Sequence, residues 1–260
     1  MATAQAHARP IPGAVATLGV SDRVTFLRKT YAHLGGALIV FAVLTWAMMN
    51  FATEFSLRFT AWSWSGWNFL IVFLLFIGAG VLAQRLAMHE TSKGLQYLGL
   101  GIEIVAFSFM LQPLLWIVMQ KFGGAIVIGK NGVVYPHLSA TAASVIGQSA
   151  VITLAIFAGL TATVFLTRKD FSFLRGILSI SMFAVIGFII ASLIFGFSIG
   201  ILFSAFIILL MAGYILYETS LVMNYFPPTA HVAAALMLFA TVAVLFTHVL
   251  RLMSFLRGND

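Results

Sequence analysis

The chain has 260 residues, of which 62% are hydrophobic and only 8% are charged, against about 25% charged in a soluble protein. With a mean hydropathy of +1.07, a soluble globular domain is excluded and a polytopic membrane protein is indicated. The net charge of +7 argues for no nucleic-acid partner, because the basic residues sit in short clusters at the ends of apolar runs, where they orient a membrane protein. With no Cys, a disulfide framework, thiol catalysis and a Cys-based metal site are excluded as well.

Residues 1–22 read as a flexible cytoplasmic tail. They have no sustained apolar core followed by a cleavage site, so a secretory signal is not expected. Residues 23–257 read as one seven-helix transmembrane domain, since a helical span needs roughly 20 apolar residues. The first span follows Arg23, Arg28 and Lys29 and covers 31–50. The second covers 67–87, with Trp62, Trp64 and Trp67 as interfacial aromatics at its entry. The third covers 94–119, interrupted by Glu103 and bent near Pro113. AIVIGKNGVVYP (125–136) has β-rich flanks around a Lys-Asn-Gly turn and reads as a small hairpin. The fourth span covers 138–166. The uncharged stretch 176–217 is too long for one span and divides at FGFSIG (195–200) into a fifth and a sixth. The seventh covers 232–252, after Pro227-Pro228.

An N-terminus in the cytoplasm places Arg9, Arg23, Arg28, Lys29, Arg85, Lys93, Arg168, Lys169 and Arg175 inside. Arg58, Lys121, Lys130, Arg251 and Arg257 then lie outside. Nine against five favours this orientation. The two C-terminal Arg residues leave open an arrangement of six spans with a re-entrant last segment. Gly35-Gly36, Gly78/Gly80 and Gly99/Gly101 read as close helix contacts. No nucleophile–base arrangement and no two-His helical metal motif is present, so an enzyme is not expected and no cofactor is implied. The Phe and Met residues read as lipid-facing and packing material, and the His residues as interfacial or packing groups.

The candidate site starts from Glu218. Nothing charged lies between Arg175 and Glu218, or between Glu218 and Arg251. A charge at the centre of a bilayer span costs at least about 2.5–3.5 kcal/mol. Glu103 lies about 13 Å into the third span, Glu218 about 9 Å from the end of the sixth and Thr241 about 13 Å along the seventh, at 1.5 Å per residue. These depths place the three groups in one layer on the cytoplasmic side, within reach of Arg85. Two carboxylates there would share a proton, and a nearby Arg would hold them ionised. The set Glu218, Glu103, Thr241 and Arg85 therefore reads as an ion or pH gate; the alternatives are a Glu218 that snorkels from its helix end, a Glu103 that only hydrogen-bonds a neighbouring helix and an Arg85 that anchors among headgroups.

GYILYETS (213–220), a Pro-containing turn and VAAALMLFATVAVLFTHVLRLM (232–253) resemble the end of the transmembrane Bax inhibitor motif family. FLRKTYAHLGGAL (26–38) resembles its opening and TRKDFSFLRG (167–176) its central connection. The resemblance covers about 23–257 and is closest to bacterial members, including the subgroup that modulates the membrane protease FtsH. It implies an all-α polytopic membrane protein of seven transmembrane helices, with the last helix central and wrapped by the other six. It also implies a pH-sensitive calcium leak gated by one acid from each of the last two spans. Glu218 matches the first acid, with Glu in place of the usual Asp. The position of the second is Thr241, which does not ionise, and the family's Asn three residues on is Val244. Arg85 corresponds by depth to an Arg that pairs with the acids.

Two functions follow as expectations. One is a calcium or other cation leak in which Glu218, and Glu103 if it replaces the missing acid, titrates or binds the ion. Oxygen ligands suit calcium, which would be cargo rather than a resident cofactor. The other is a non-enzymatic regulator that binds a membrane protease such as FtsH. The expected setting is the bacterial inner membrane, multi-pass, with the lipid bilayer as the constant partner.

Overall fold

The structure is a computed structural model and describes residues 14–17, 19–65, 67–89, 92–128, 134–196 and 200–258. α1 (Val20–Phe51) begins well before the apolar run at residue 31. Asp22 in its first turn suits the positive end of the helix dipole, and Phe26 and Thr30 are buried, so core packing carries the helix outward through the charged residues. After Ala52 the chain turns into α2 (Thr53–Ser63), a short helix the apolar pattern does not announce. Its Ser56 explains it: Ser56 Oγ donates to Gln112 Oε1 at 2.7 Å and accepts the Trp116 indole N–H at 2.7 Å.

α3 (Asn68–Ala87) and α4 (Lys93–Lys121) follow, and α4 runs through Pro113 as one helix. β1 (Ala125–Ile128) and β2 (Val134–His137) form the expected hairpin, antiparallel, with Ala125 opposite His137 and Ile128 opposite Val134. Its Lys130-Asn131-Gly132 turn lies outside the described residues. α5 (Ala140–Thr167) is capped by Ser139, whose Oγ accepts the Ala142 N–H at 3.0 Å. It ends on Arg168, which takes the left-handed conformation at φ 51°. α6 (Arg175–Phe195) stops at Gly196, left-handed at φ 72°, and α7 (Ile201–Asn224) starts after Gly200. The break thus falls in the glycine segment read from the sequence, whose residues 197–199 lie outside the described part. α8 (His231–Leu256) completes the chain.

All of these helices except α2 are long and apolar enough to cross a membrane, seven in total. α8 is the central one. Its first turns carry Ala233, Ala234 and Ala235, all buried, and small residues let neighbouring backbones approach closely in lipid. It packs on α1, α3, α4, α5 and α7. The expectation that all six others wrap it is corrected for α6, which packs on α7 and on the turn Ser172–Leu174 instead. Of the glycines read as contacts, Gly99 is the tight one. A Cβ there would run into the Ala83 carbonyl oxygen and lie 2.9 Å from the Ala87 N. A Cβ on Gly35, Gly36, Gly78 or Gly101 would meet nothing within 4 Å.

The segment expected to be a flexible tail is seated in its described part. Ala14 and Val15 are buried, Val15 completely, and the Val15 N–H bonds the Phe226 carbonyl at 2.9 Å. Residues 1–13, with Arg9, lie outside the described part.

Candidate ion and pH site between the last two spans

Glu218 sits in the last two turns of α7 on the face that meets α8, within a buried run that includes Ile215, Thr219, Ser220 and Val222. It is 6% exposed. Its Oε2 accepts the hydroxyl of Thr241 on α8 at 2.8 Å, and Thr241 is equally buried. A threonine hydroxyl donates to a carboxylate and, after rotation, accepts from a carboxylic acid. Thr241 therefore partners Glu218 in either protonation state, which a second acid does only by sharing a proton.

Two residues before Thr241, α8 turns its other face to α1 and α4. Phe239 is fully buried and meets Phe41 at 5.7 Å and Phe107 at 5.7 Å between ring centroids. Phe107 in turn meets Phe76 of α3 at 4.9 Å. This aromatic chain crosses the bundle from α1 through α8 and α4 to α3. These rings pack, as their abundance suggests, but their continuity across four helices is not legible in the sequence.

Glu103 lies one helical turn from Phe107 on α4 and is 5% exposed. Its carboxylate rests on Gly80 of α3: a Cβ built on Gly80 would be 3.7 Å from Oε2 and 3.8 Å from Oε1. Oε2 is buried without a hydrogen-bond partner. α4 and α7 both pack on α8 and present no packing face to each other. The layer inferred from depth is therefore divided by α8. Glu218 and Thr241 are brought together, and Glu103 stands on the other side with no hydrogen bond to Glu218. The expectation that Glu103 completes the pair is not met in this structure. Arg85 is exposed in the last turn of α3 and forms no ion pair with either acid; among the described residues the ion pair present is Arg58–Glu54. Equal depth measures only position along the bundle axis, and the sequence offered no signal for position around it.

Two histidines, His33 and His231, meet at the end of the bundle where α1 begins. His33 Nδ1 lies 2.7 Å from the Lys29 carbonyl and Nε2 2.9 Å from the Tyr97 hydroxyl. The His231 ring is 5.0 Å away. This links α1, α4 and α8. No group of three or more His, Asp or Glu residues able to hold a metal occurs among the described residues.

Seven long apolar helices with a carboxylate bonded at the seam of the last two define an all-α, multi-pass membrane protein. The chain belongs to the Bax inhibitor-like family: residues 130–258 match the family described as inhibitor of apoptosis-promoting Bax1. It is 33% identical to Bax inhibitor 1 of Schizosaccharomyces pombe over 123 residues, 45% of each chain. It is 32% identical to an uncharacterized protein of Pseudomonas aeruginosa over 118 residues, 45% of this chain and 53% of that one. An uncharacterized membrane protein of Vibrio cholerae is 29% identical over 117 residues, 45% of this chain and 52% of that one. These matches span about half the length of the curated relatives. The family match runs from the β-hairpin turn through α8, so it includes Glu218 and Thr241 and leaves out Arg85, Glu103 and the opening motif at 26–38.

Proposed function

We propose that the protein is a proton-sensitive cation leak in the bacterial inner membrane, with Glu218 as its titrating group. The observation that carries this reading is the Glu218–Thr241 hydrogen bond of 2.8 Å between two buried residues on the last two spans. A carboxylate in hydrocarbon is expensive and is retained where it faces a partner on another helix. Here that partner is neutral, so a single group exchanges the proton. With the N-terminus in the cytoplasm, the pair lies in the cytoplasmic half of the bundle.

Calcium enters as cargo. It takes 6–8 oxygen ligands, whereas one carboxylate and one hydroxyl converge here. This favours weak, passing contact over a held ion and does not select calcium over a monovalent cation. The test is flux through purified protein in liposomes across a pH series, with calcium and with sodium. A leak that rises or falls with pH in the wild type and is flat in Glu218→Gln supports the reading. Wild-type flux with an unchanged pH profile in Glu218→Gln overturns it.

A further inference from the structure

Asp170 lies in the connection between α5 and α6, and its carboxylate reaches the end of α7. Oδ1 accepts the Ser220 hydroxyl at 3.0 Å and the Ser172 N–H at 2.9 Å, while Oδ2 accepts the Tyr225 hydroxyl at 2.6 Å. The link is reinforced in the opposite sense, since Ser220 Oγ accepts the Phe171 N–H at 3.0 Å. Asn224 Nδ2 donates to the Ser220 carbonyl at 3.0 Å and lies 3.4 Å from its hydroxyl. Ser220 is fully buried although the carboxylate it meets is exposed. On the residue after Tyr225, Phe226, the carbonyl is held by the Val15 N–H. The end of α7 is thus bolted down from the α5–α6 connection and from the N-terminal segment.

Ser220 is two residues beyond Glu218. Helix ends leave backbone groups unpaired and fray unless something satisfies them, and hydrogen bonds to an ionised group are roughly twice as strong as neutral ones. We propose that Asp170 is a positioning residue for the Glu218 site: it fixes the end of α7 and so holds Glu218 in register with Thr241. This rests on the leak reading for its consequence, though not for its geometry.

The anchor is constitutive. Burial pushes the Asp170 carboxyl up, but the hydrogen bonds from Tyr225, Ser172 and Ser220 outweigh it and hold the group below the usual carboxylate range. The bond that the Tyr225 hydroxyl donates to Asp170, with burial added, raises the Tyr225 phenol. A carboxyl lowered in the folded state contributes stability that is fully present above its unfolded value. That stability is lost only as pH falls through the lowered folded value. At neutral pH the bolt is therefore closed. The titratable group facing Asp170 from the end of α7 is Tyr225, the residue just beyond the helix; its own connection carries Arg168, Lys169 and Arg175, and none of these forms an ion pair with it. Asp170 positions, and Glu218 is left to respond to pH.

The experiment uses the full chain in liposomes and two readouts. Backbone hydrogen exchange over residues 217–226 should be faster in Asp170→Ala and restored toward wild type in Asp170→Asn, which keeps an acceptor for Ser220. Neutral-pH flux in Asp170→Ala should differ at least about twofold from wild type, the low end of coupling within one hydrogen-bond network, with a displaced pH profile. The same change made in Glu218→Gln should have no effect on flux. Unchanged exchange overturns the proposal. So does faster exchange with wild-type flux, or a flux effect that persists undiminished in Glu218→Gln. If the wild-type chain shows no flux at any pH, the leak reading fails. Exchange then decides alone: acceleration that includes the Glu218 and Thr241 segments supports positioning, and its confinement to residues beyond 220 overturns it.

Discussion

Glu218 and Glu103 are the same residue type at nearly the same burial, 6% and 5% exposed, and α8 separates them. Glu218 faces a hydroxyl on the central helix. Glu103 faces Gly80, a backbone with no side chain to answer it, and its Oε2 has no hydrogen bond. A buried carboxylate is thus not by itself a site. What distinguishes the two is whether a neighbouring helix offers a polar partner that tolerates both protonation states. The element that would gate conduction is the one held on both sides: α7 packs on α8 at Glu218 and is tied at its end to the α5–α6 connection. The Glu103 carboxylate rests on Gly80 of α3, with no tie of this kind.

The two carboxylates should differ most in flux. We predict that Glu218→Gln removes the pH dependence of the leak, whereas Glu103→Gln leaves both the rate and the profile as in the wild type. A flat profile in Glu103→Gln with a responsive one in Glu218→Gln would reverse the two roles.

Next in size is the packing beneath Glu103. Gly99 brings α4 against the Ala83 and Ala87 backbone of α3, and Gly80 is part of the same interface. Overpacking a tight contact costs about 1–3 kcal/mol and at times more. Gly99→Leu should therefore lower the unfolding midpoint in detergent strongly, while Gly101→Leu, placed in open space, should leave it near wild type. Equal losses in the two would show that α3 and α4 are not in the register described.

A smaller effect of opposite sign is expected at Glu103 itself. A buried polar group without a partner costs about 1–3 kcal/mol, and Met fills a similar volume without that penalty. Glu103→Met should raise the unfolding midpoint, whereas Glu218→Met should lower it by stranding the Thr241 hydroxyl. Destabilisation in Glu103→Met would mean that Glu103 has a partner in the membrane that the bundle alone does not supply.

Much of this architecture was legible in the sequence. Apolar length gave seven spans, and Gly196 with Gly200 gave the break between α6 and α7. The Lys-Asn-Gly segment gave the hairpin. Depth and the family resemblance placed Glu218 and Thr241 in one layer on the last two spans, but not the hydrogen bond between them, since the partner expected for Glu218 was Glu103. Depth failed for Glu103 and Arg85 because it says nothing about which side of α8 a residue occupies. α2 was missed because its stability comes from Ser56 reaching Gln112 and Trp116, two residues far along the chain, and not from an apolar stripe. In the sequence Asp170 stands out only as part of the TRKDFSFLRG motif. Its partners Ser220 and Tyr225 lie about fifty residues away, and no local pattern connects them.

The smallest effects are expected at Thr241, and they bear on why a non-ionising residue stands there. Thr241→Ser keeps the hydroxyl and removes one methyl, worth about 0.8 kcal/mol if fully buried, so the flux–pH curve should keep its midpoint and shape. With a neutral partner, one proton controls the site and the curve should be no steeper than a single titration. Thr241→Asp places a second acid against Glu218, and two carboxylates that close titrate as a pair in two macroscopic steps. The wild-type curve should then split or broaden in that variant while its maximum is little changed. A wild-type curve steeper than one proton would show that another group titrates with Glu218. A single unbroadened step in Thr241→Asp would place residue 241 out of reach of Glu218 in the conducting state. In either case the hydrogen bond between them would describe only the resting seam and not the group that responds to pH.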